Sequence, residues 1–185
     1  GDFTHPLWFK ELQEQLEEAE PGLYKLKPAF AKASAGKARF LFTSEISCIY
    51  SKGGQVRRVH LILIAPSVVA VEKINTRLGW IGNLKSDGRP ILGIDAKEVL
   101  KIALDADPNC MVVPAHAWTP WFSVFGSKSG FNSLEECFDE YTKYIYAIET
   151  GLSSDPAMNW RLSALDKIAL LSNSDSHSLE KIWRE

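Results

Sequence analysis

Four histidines and two carboxylates stand at or near the ends of predicted strands, where α/β proteins place their sites. The histidines are His5, His60, His116 and His177. Glu45 follows the apolar run 39–44, and Asp175 follows the apolar run 167–172. Imidazole and carboxylate groups are the usual protein ligands of zinc, manganese and iron, and one carboxylate can bridge two ions. These residues therefore predict a metal site.

The segment 173–177 has two interpretations. Asp175 and His177 are two residues apart, so their side chains point to the same side of an extended segment, as two metal ligands would. Asn, Ser and Asp also favour a helix N-cap, in which case His177 would be an ordinary surface histidine. The position of all four histidines near strand ends favours the metal site.

Strands and helices alternate along most of the chain, which predicts an α/β fold with a parallel sheet. The predicted strands are 39–44, two strands within 46–64 around a turn at 52–54, 110–115, 144–148 and 167–172. The predicted helices are 7–19, 68–78, 95–106, 133–141 and 155–165. Ligands from five segments favour a barrel, because a barrel brings several strand ends to one mouth. Five main strands are too few to close it, and the chain starts abruptly, so we expect the first strands to be missing.

The composition predicts one globular domain spanning 1–185. The 185 residues are 45% apolar and 24% charged, and the formal net charge is −2, so nucleic-acid binding would need a local basic patch. Three cysteines without metal-site spacing indicate a reducing compartment, and no apolar run approaches the roughly 20 residues that cross a bilayer. We therefore expect a cytoplasmic protein without membrane contact. The low-complexity stretch 29–38 predicts an exposed loop.

Several motifs resemble those of the PHP (polymerase and histidinol phosphatase) superfamily and, within it, the endonuclease Q family. The superfamily motifs are GDFTHP (1–6), TSEIS (43–47), RVH (58–60), VPAHAW (113–118) and SDSH (174–177). The more specific matches are LGWIGNLKSDGRP (78–90), WTPWFS (118–123), FGSKSGF (125–131) and ETGLSSDPAMNW (149–160). The resemblance covers nearly the whole chain outside 29–38.

The resemblance implies a distorted (β/α)7 barrel, here without its first strands, with up to three metal ions at its mouth. The implied metal ligands are Asp2, His5, Glu45, His60, His116, Asp175 and His177. Glu45 would bridge two ions, and Glu45 and Asp175 are the implied catalytic residues. Zinc is the expected ion, with magnesium, manganese or iron as alternatives. The family also opens with a His-X-His pair that this sequence lacks, and either His5 or Asp2 would be the ligand at the start of the chain.

The implied activity is hydrolysis of DNA on the 5′ side of a deaminated base (uracil or hypoxanthine) or an abasic site. The candidate substrate-binding residues are Arg57, Arg58, Lys85, Arg89, Trp118, Trp121 and Lys128. The cations would contact phosphates and the tryptophans would stack on a flipped base, although solvated cations and core aromatics are ordinary alternatives. Damaged DNA is the expected partner, with a sliding clamp or another repair factor as a further one. The alternatives are a phosphatase of the same superfamily acting on a small metabolite, and an inactive module.

Overall fold

Two long strands joined by a tight turn form the centre of the fold. The computed structural model describes residues 1–31, 38–86 and 88–182. Its strands are β1 (Leu16–Glu20), β2 (Leu23–Leu26), β3 (Phe42–Lys52), β4 (Gln55–Ala65), β5 (Ile91–Leu92), β6 (Met111–Pro114), β7 (Ala147–Glu149) and β8 (Ala169–Leu171). Its α-helices are α1 (Pro6–Gln15), α2 (Val68–Gly79), α3 (Ala96–Ala106), α4 (Leu134–Phe138) and α5 (Pro156–Asn159).

The β3–β4 hairpin confirms the predicted turn at 52–54. Gly53 and Gly54 have φ angles of 62° and 73°. A two-residue hairpin turn with both central residues at positive φ matches the twist of the flanking strands, and glycine adopts this backbone without strain. The register pairs Phe42 with Ala65 at one end and Lys52 with Gln55 at the other.

The prediction of a parallel sheet is wrong for the main strands. β5, β3, β4 and β6 lie side by side in that order, with β3–β4 and β4–β6 antiparallel. Only the short β3–β5 and β7–β8 pairs are parallel. The described residues therefore form a mixed α/β fold without a closed barrel. The alternation of strands and helices predicted parallel pairing, but β3 and β4 are joined by a hairpin turn without a helix between them, and a hairpin pairs its strands antiparallel.

The core lies between one face of the four-stranded sheet and the two longer helices, α2 and α3. Both helices begin where predicted, with side-chain caps from Ser67 and Asp95. Their apolar faces are buried, as are Ile46, Leu61 and Leu63 on the sheet. Because side chains alternate along a strand, the neighbouring residues of these positions, including Glu45, Ser47 and His60, face the opposite side.

The N-terminal helix is shorter than predicted. Helix α1 ends at Gln15, and the rest of the predicted helix 7–19 forms strand β1, which pairs with β2 around the turn at Pro21-Gly22. Leu16 and Leu26 pair across this hairpin, and an ion pair links Glu17 with Lys25. Part of the predicted loop 29–38, residues 32–37, lies outside the described residues.

The C-terminal elements are also shorter than predicted. The strands predicted over 144–148 and 167–172 are the three-residue β7 and β8, and the helix predicted over 155–165 divides into α5 and a 3₁₀ turn at Ser163–Leu165. α2 is the longest helix described, with 12 residues, and within the described ranges no helix has the length and apolar character needed to cross a membrane.

Candidate metal centre

Three of the predicted ligands converge in space. Glu45 Oε1 lies 3.1 Å from His60 Nδ1 and 3.5 Å from His116 Nε2, and the two imidazole nitrogens are 3.1 Å apart. Both imidazoles are buried and Glu45 is half-buried. Because three lone-pair-bearing atoms meet at one point, the arrangement is suited to a cation.

Register between β3 and β4 brings Glu45 and His60 together. Glu45 is not at the end of a strand, as predicted, but lies within β3. Ser47 pairs directly with His60, so the side chains of both residues lie on the same face of the sheet, with Glu45 two residues away on that face. The long hairpin therefore holds the site on regular, well-packed backbone.

His116 lies on a strained turn just beyond β6. Its φ angle is +30°, unusual for a residue other than glycine. The buried Glu149 carboxylate accepts a hydrogen bond from the His116 backbone N–H at 2.5 Å, and the Glu149 carbonyl accepts one from Ala117 at 2.9 Å. The backbone of Gly151 packs so closely here that an added Cβ would lie 2.6 Å from the His116 Cβ.

Thr119 fixes which nitrogen of His116 faces the site. Its hydroxyl lies 3.1 Å from His116 Nδ1 and donates to the carbonyl of Trp121 at 2.9 Å. Because its proton is used in that bond, the hydroxyl accepts from Nδ1–H, and Nε2 is the nitrogen that faces Glu45. This is the orientation that a metal-ligating histidine needs.

The electrostatics keep Glu45 ionised. Burial alone would raise its pKa, but the close contacts with the imidazoles of His116 and His60 and the charge of Arg89 outweigh it, so the pKa lies well below that of an ordinary glutamate. Burial lowers the pKa of His60, and its ring is therefore neutral at pH 7, as metal binding requires.

Negative charge also surrounds His116. Burial would lower its pKa, but the hydrogen bond to Glu45 and the charges of Glu45, Glu149 and Asp175 outweigh it and raise the pKa. Burial raises the pKa of Glu149. The negative charges of Glu45, Glu149 and Asp175 would favour a cation placed beside them.

Arg89 provides positive charge at the site in this structure. Its Nη1 lies 2.6 Å from Glu45 Oε1 and 2.8 Å from His60 Nδ1, and its Nη2 lies 3.4 Å from His177 Nε2. Arg89 therefore meets three of the predicted metal ligands, a position that the sequence did not predict.

The donor set fits a divalent metal ion. In a tetrahedral zinc site with bonds of about 2.0–2.1 Å, neighbouring ligand atoms stand about 3.3 Å apart, and the three atoms here are 3.1–3.5 Å apart. Ser47 adds a second observation. Its side chain is 1% exposed and its Oγ has no hydrogen-bond partner within the described part of the chain, although it lies beside His60 on the same face.

The other predicted ligands lie outside this group of three. His5 stands at the N-cap position of α1 without a side-chain capping bond, and it lines a shallow cavity with Asp2 and Trp8. His177 is exposed, and its Nδ1 atom lies 2.9 Å from the carbonyl oxygen of Asp175. Asp2 and Asp175, both at positive φ, line the cavity described next.

A cavity of about 570 Å3 opens beside the three ligands. β3, β4, β6, β7 and β8 all contribute to its lining. Its polar lining residues are Asp2, Thr43, Ser44, Glu45, His116, Glu149, Asn173 and Asp175. Its apolar lining residues include Ile62, Ile64, Met111, Val113 and Leu171. The cavity thus faces the side of the sheet opposite the core.

The predicted substrate-binding residues other than Arg89 divide into three groups. Arg58 shares a face of β4 with His60, and its guanidinium lies 5.4 Å from the ring of the half-exposed Trp121. Arg57 packs on Phe131 and donates to the Gly130 carbonyl, and Trp118 donates to Asn159 and stacks on Phe125. The side chains of Lys85 and Lys128 are exposed.

Sequence reasoning missed four residues that shape the site: Ser47, Thr119, Glu149 and Asn173. Glu149 was detectable, because it ends a short apolar run just as the predicted ligands do. Asn173 donates to Glu149 Oε1 at 2.8 Å, and Thr119 follows His116 by three residues. Their roles depend on contacts between distant segments or within an irregular loop, which periodicity does not reveal.

The comparisons with known proteins give two sequence relatives. The uncharacterized protein YqxK of Bacillus subtilis (strain 168) is 31% identical over 133 residues, 69% of this chain and 32% of that protein. The uncharacterized protein MJ0043 of Methanocaldococcus jannaschii is 30% identical over 118 residues, 60% of this chain and 14% of that protein. The chain thus spans a third or less of the relatives it matches. No protein-family model matches it.

Two solved structures match nearly the whole chain. PfuEndoQ, a lesion-specific endonuclease from Pyrococcus furiosus, gives a TM-score of 0.75 at 28% identity over 96% of this chain and 39% of that one. Endonuclease Q in complex with a 27-mer duplex substrate, with an abasic lesion at the active site, gives 0.76 at 29% identity over 96% and 40%. The fold is similar to that of endonuclease Q. The similarity extends over a length of chain that includes the convergent ligands.

Proposed function

We propose that this chain forms the metal-binding part of a DNA repair endonuclease that cuts on the 5′ side of a deaminated base or an abasic site. The observation that carries the proposal is the convergence of Glu45, His60 and His116 within a fold similar to endonuclease Q. The likeness spans 96% of the chain but 40% of that structure, so the rest of the activity would involve residues beyond the matched region.

Glu45, His60 and His116 would hold a divalent ion, with Asp175 and Asp2 as further carboxylates on the lining of the same cavity. A bound ion would lower the pKa of a water molecule and neutralise charge on the phosphate. Glu45 would act as a ligand throughout, because its depressed pKa keeps it ionised. Zinc fits the imidazole-rich donor set, and manganese or iron are the alternatives that the same ligands accept.

The remaining groups would orient the ligands and the substrate. Glu149 and Thr119 fix the backbone and the ring of His116. The buried Ser47 hydroxyl, which lacks a hydrogen-bond partner among the described residues, would donate to a water molecule beside His60.

We propose that a DNA strand lies along the exposed face of β4. Arg58, two residues before His60 on β4, would contact a phosphate. Trp121, which is 49% exposed and lies beside Arg58, would offer a stacking surface to the next base. A polymer substrate is favoured over a small phosphorylated metabolite, because Arg58 and Trp121 extend the candidate binding surface away from the three metal ligands.

Nicking of defined oligonucleotides by the natural full-length protein tests the proposal. Duplexes carrying one uracil, hypoxanthine or abasic site should be cut on the 5′ side in Mn2+ or Zn2+, whereas the undamaged duplex stays intact. E45Q should abolish cutting, and R77M, which changes an exposed arginine on α2, should leave it unchanged. Rapid hydrolysis of small phosphomonoesters without nicking of damaged DNA would favour the phosphatase instead.

A further inference from the structure

Arg89 reaches the metal ligands because of a fixed backbone contact. Strand β5 begins two residues after Arg89 and pairs in parallel with Ser47 and Cys48. The Pro90 carbonyl accepts a hydrogen bond from the Ser47 N–H at 2.9 Å. Arg89 is therefore anchored on its C-terminal side next to Ser47, whereas Gly88 at φ +72° forms a turn on the other side.

The guanidinium uses the same atoms that a metal ion needs. The Nδ1 atom of a neutral imidazole has one lone pair in the ring plane, so at His60 it accepts a hydrogen bond or binds a metal but not both. In this structure Arg89 Nη1 lies 2.8 Å from that nitrogen and 2.6 Å from Glu45 Oε1. Binding of a metal by His60 Nδ1 therefore requires that Arg89 leave this nitrogen.

Electrostatic repulsion between a bound metal ion and the Arg89 guanidinium also favours displacement of Arg89. An ion bonded to Glu45 Oε1 at about 2.1 Å would lie within about 4.7 Å of Arg89 Nη1, because that nitrogen is 2.6 Å from the same oxygen. The guanidinium stays protonated at all working pH values, so it cannot relieve the repulsion by losing a proton. Movement of the side chain is the available response.

We infer that Arg89 and the metal ion exchange at this site. Without metal, Arg89 supplies the positive charge that Glu45 and His60 require. With metal, Arg89 is displaced but stays beside the site because β5 is paired with β3, where its planar guanidinium can bind a phosphate oxygen pair. Arg89 is then a substrate-binding residue that becomes available to the phosphate only when the metal is bound. This inference rests on the proposed metal centre.

Metal affinity tests the exchange without any measurement of DNA cleavage. We expect R89M to bind Zn2+ about tenfold more tightly than the wild type by isothermal titration, because the ion no longer displaces a charged hydrogen-bond donor. R89Q is a second neutral variant, and circular dichroism establishes that each protein is folded. R77M, on an exposed face of α2, is the matched control and should bind Zn2+ like the wild type.

Inorganic phosphate provides the second readout. The zinc-loaded wild type should bind phosphate about tenfold more tightly than zinc-loaded R89M, and R89K should restore part of the difference. The metal-stripped wild type should bind phosphate no better than metal-stripped R89M, because Arg89 is then held by Glu45 and His60.

The outcomes separate this inference from the proposed function. Equal or weaker Zn2+ binding by R89M and R89Q would overturn the exchange and leave the metal centre in place. Phosphate binding by the stripped wild type as tight as by the loaded protein would also overturn it. Failure of every protein to bind Zn2+, Mn2+ or Fe2+ would remove the metal centre and the exchange together.

Discussion

The two ends of the predicted ligand set differ in how the fold holds them. Glu45 and His60 lie within two 11-residue strands paired along their whole length, and their ligand atoms converge. Asp175 and His177 follow a three-residue strand and lie on an irregular segment, where His177 contacts Arg89 but is not among the three convergent ligands. Paired strands specify side-chain positions closely, whereas an irregular segment can supply ligands only after further contacts order it.

His116 lies on irregular backbone, as Asp175 and His177 do, but contacts from a neighbouring strand hold it in place. It lies just beyond β6, on a strained turn, yet Glu149 at the end of β7 holds its backbone. The pair β7–β8 therefore contributes to the site through Glu149 and Gly151 rather than through the ligands that follow β8. The comparison predicts that substitutions in the hairpin reduce metal affinity most, those in the His116 turn less, and those in the C-terminal segment least.

Substitution of a hairpin ligand should have the largest effect. E45Q keeps the shape of the side chain but removes the charge shared by His60, His116 and Arg89, so we expect Zn2+ affinity to fall about 100-fold or more. H177A should change it by less than about tenfold, because His177 is outside the group of three. Isothermal titration measures both, and an equal loss in the two variants would remove the distinction between hairpin and C-terminal segment.

Gly151→Ala tests the support that β7 gives to His116. The added Cβ would lie 2.6 Å from the His116 Cβ, at a φ of +58° that only glycine adopts without strain. We expect a loss of about 1–3 kcal/mol in the free energy of unfolding, measured by urea denaturation. Gly54→Ala also places alanine at positive φ, but in open space, and is the control for backbone strain alone. Equal stability losses would show that the His116 contact adds nothing.

Thr119→Val should weaken metal binding without unfolding the protein. Valine keeps the shape but removes the acceptor for His116 Nδ1–H, so the ring is no longer held with Nε2 toward Glu45. We expect about a tenfold loss of Zn2+ affinity. T119S, which retains the hydroxyl, should restore the affinity. Full affinity in T119V would show that Glu149 alone is sufficient to orient His116.

Asp139→Asn should affect stability but not the site. Asp139 accepts hydrogen bonds from Lys97 at 2.9 Å and Lys52 at 3.0 Å, far along β3 from Glu45. The hydrogen bond from Lys97 outweighs burial and lowers the pKa of Asp139. We expect a loss of about 0.5–1 kcal/mol, since the carboxylate is partly exposed, with Zn2+ affinity unchanged.

The pH dependence of D139N follows from that pKa shift. Because the folded-state pKa lies below the unfolded value of about 3.9, the contribution is fully present above that pH. It disappears as the pH falls through the folded-state pKa. Urea denaturation of D139N and the wild type between pH 3 and pH 7 measures the difference, and a difference independent of pH would contradict this account.

The sequence predicted the parts of the fold that depend on local chemistry. The turn at 52–54 and the starts of the helices predicted from 68, 95 and 133 depend on short-range signals. The structure contains each of them, with side-chain caps from Ser67, Asp95 and Ser133. The direction of strand pairing was mispredicted because it depends on contacts between distant segments. Helix 7–19 was mispredicted because Leu16 satisfies a helical pattern as well as a strand that pairs with Leu26.

The candidate site was predicted in type but not in arrangement. Histidines near strand ends indicated a metal site, and two of the four converge with Glu45. The contact of Arg89 with Glu45 depends on the pairing of β5 with β3, and the roles of Glu149 and Asn173 depend on the β7–β8 pair. Such contacts join residues 24 to 44 positions apart, beyond the reach of sequence periodicity.

Anomalous X-ray scattering from crystals of the protein grown with Zn2+ or Mn2+ tests the central claim most directly. The account predicts a peak at bonding distance, about 2.0–2.2 Å, from Glu45 Oε1, His60 Nδ1 and His116 Nε2, with the Arg89 guanidinium displaced from His60. A saturated crystal with no peak at these three atoms, or with its metal bound elsewhere, would contradict the account.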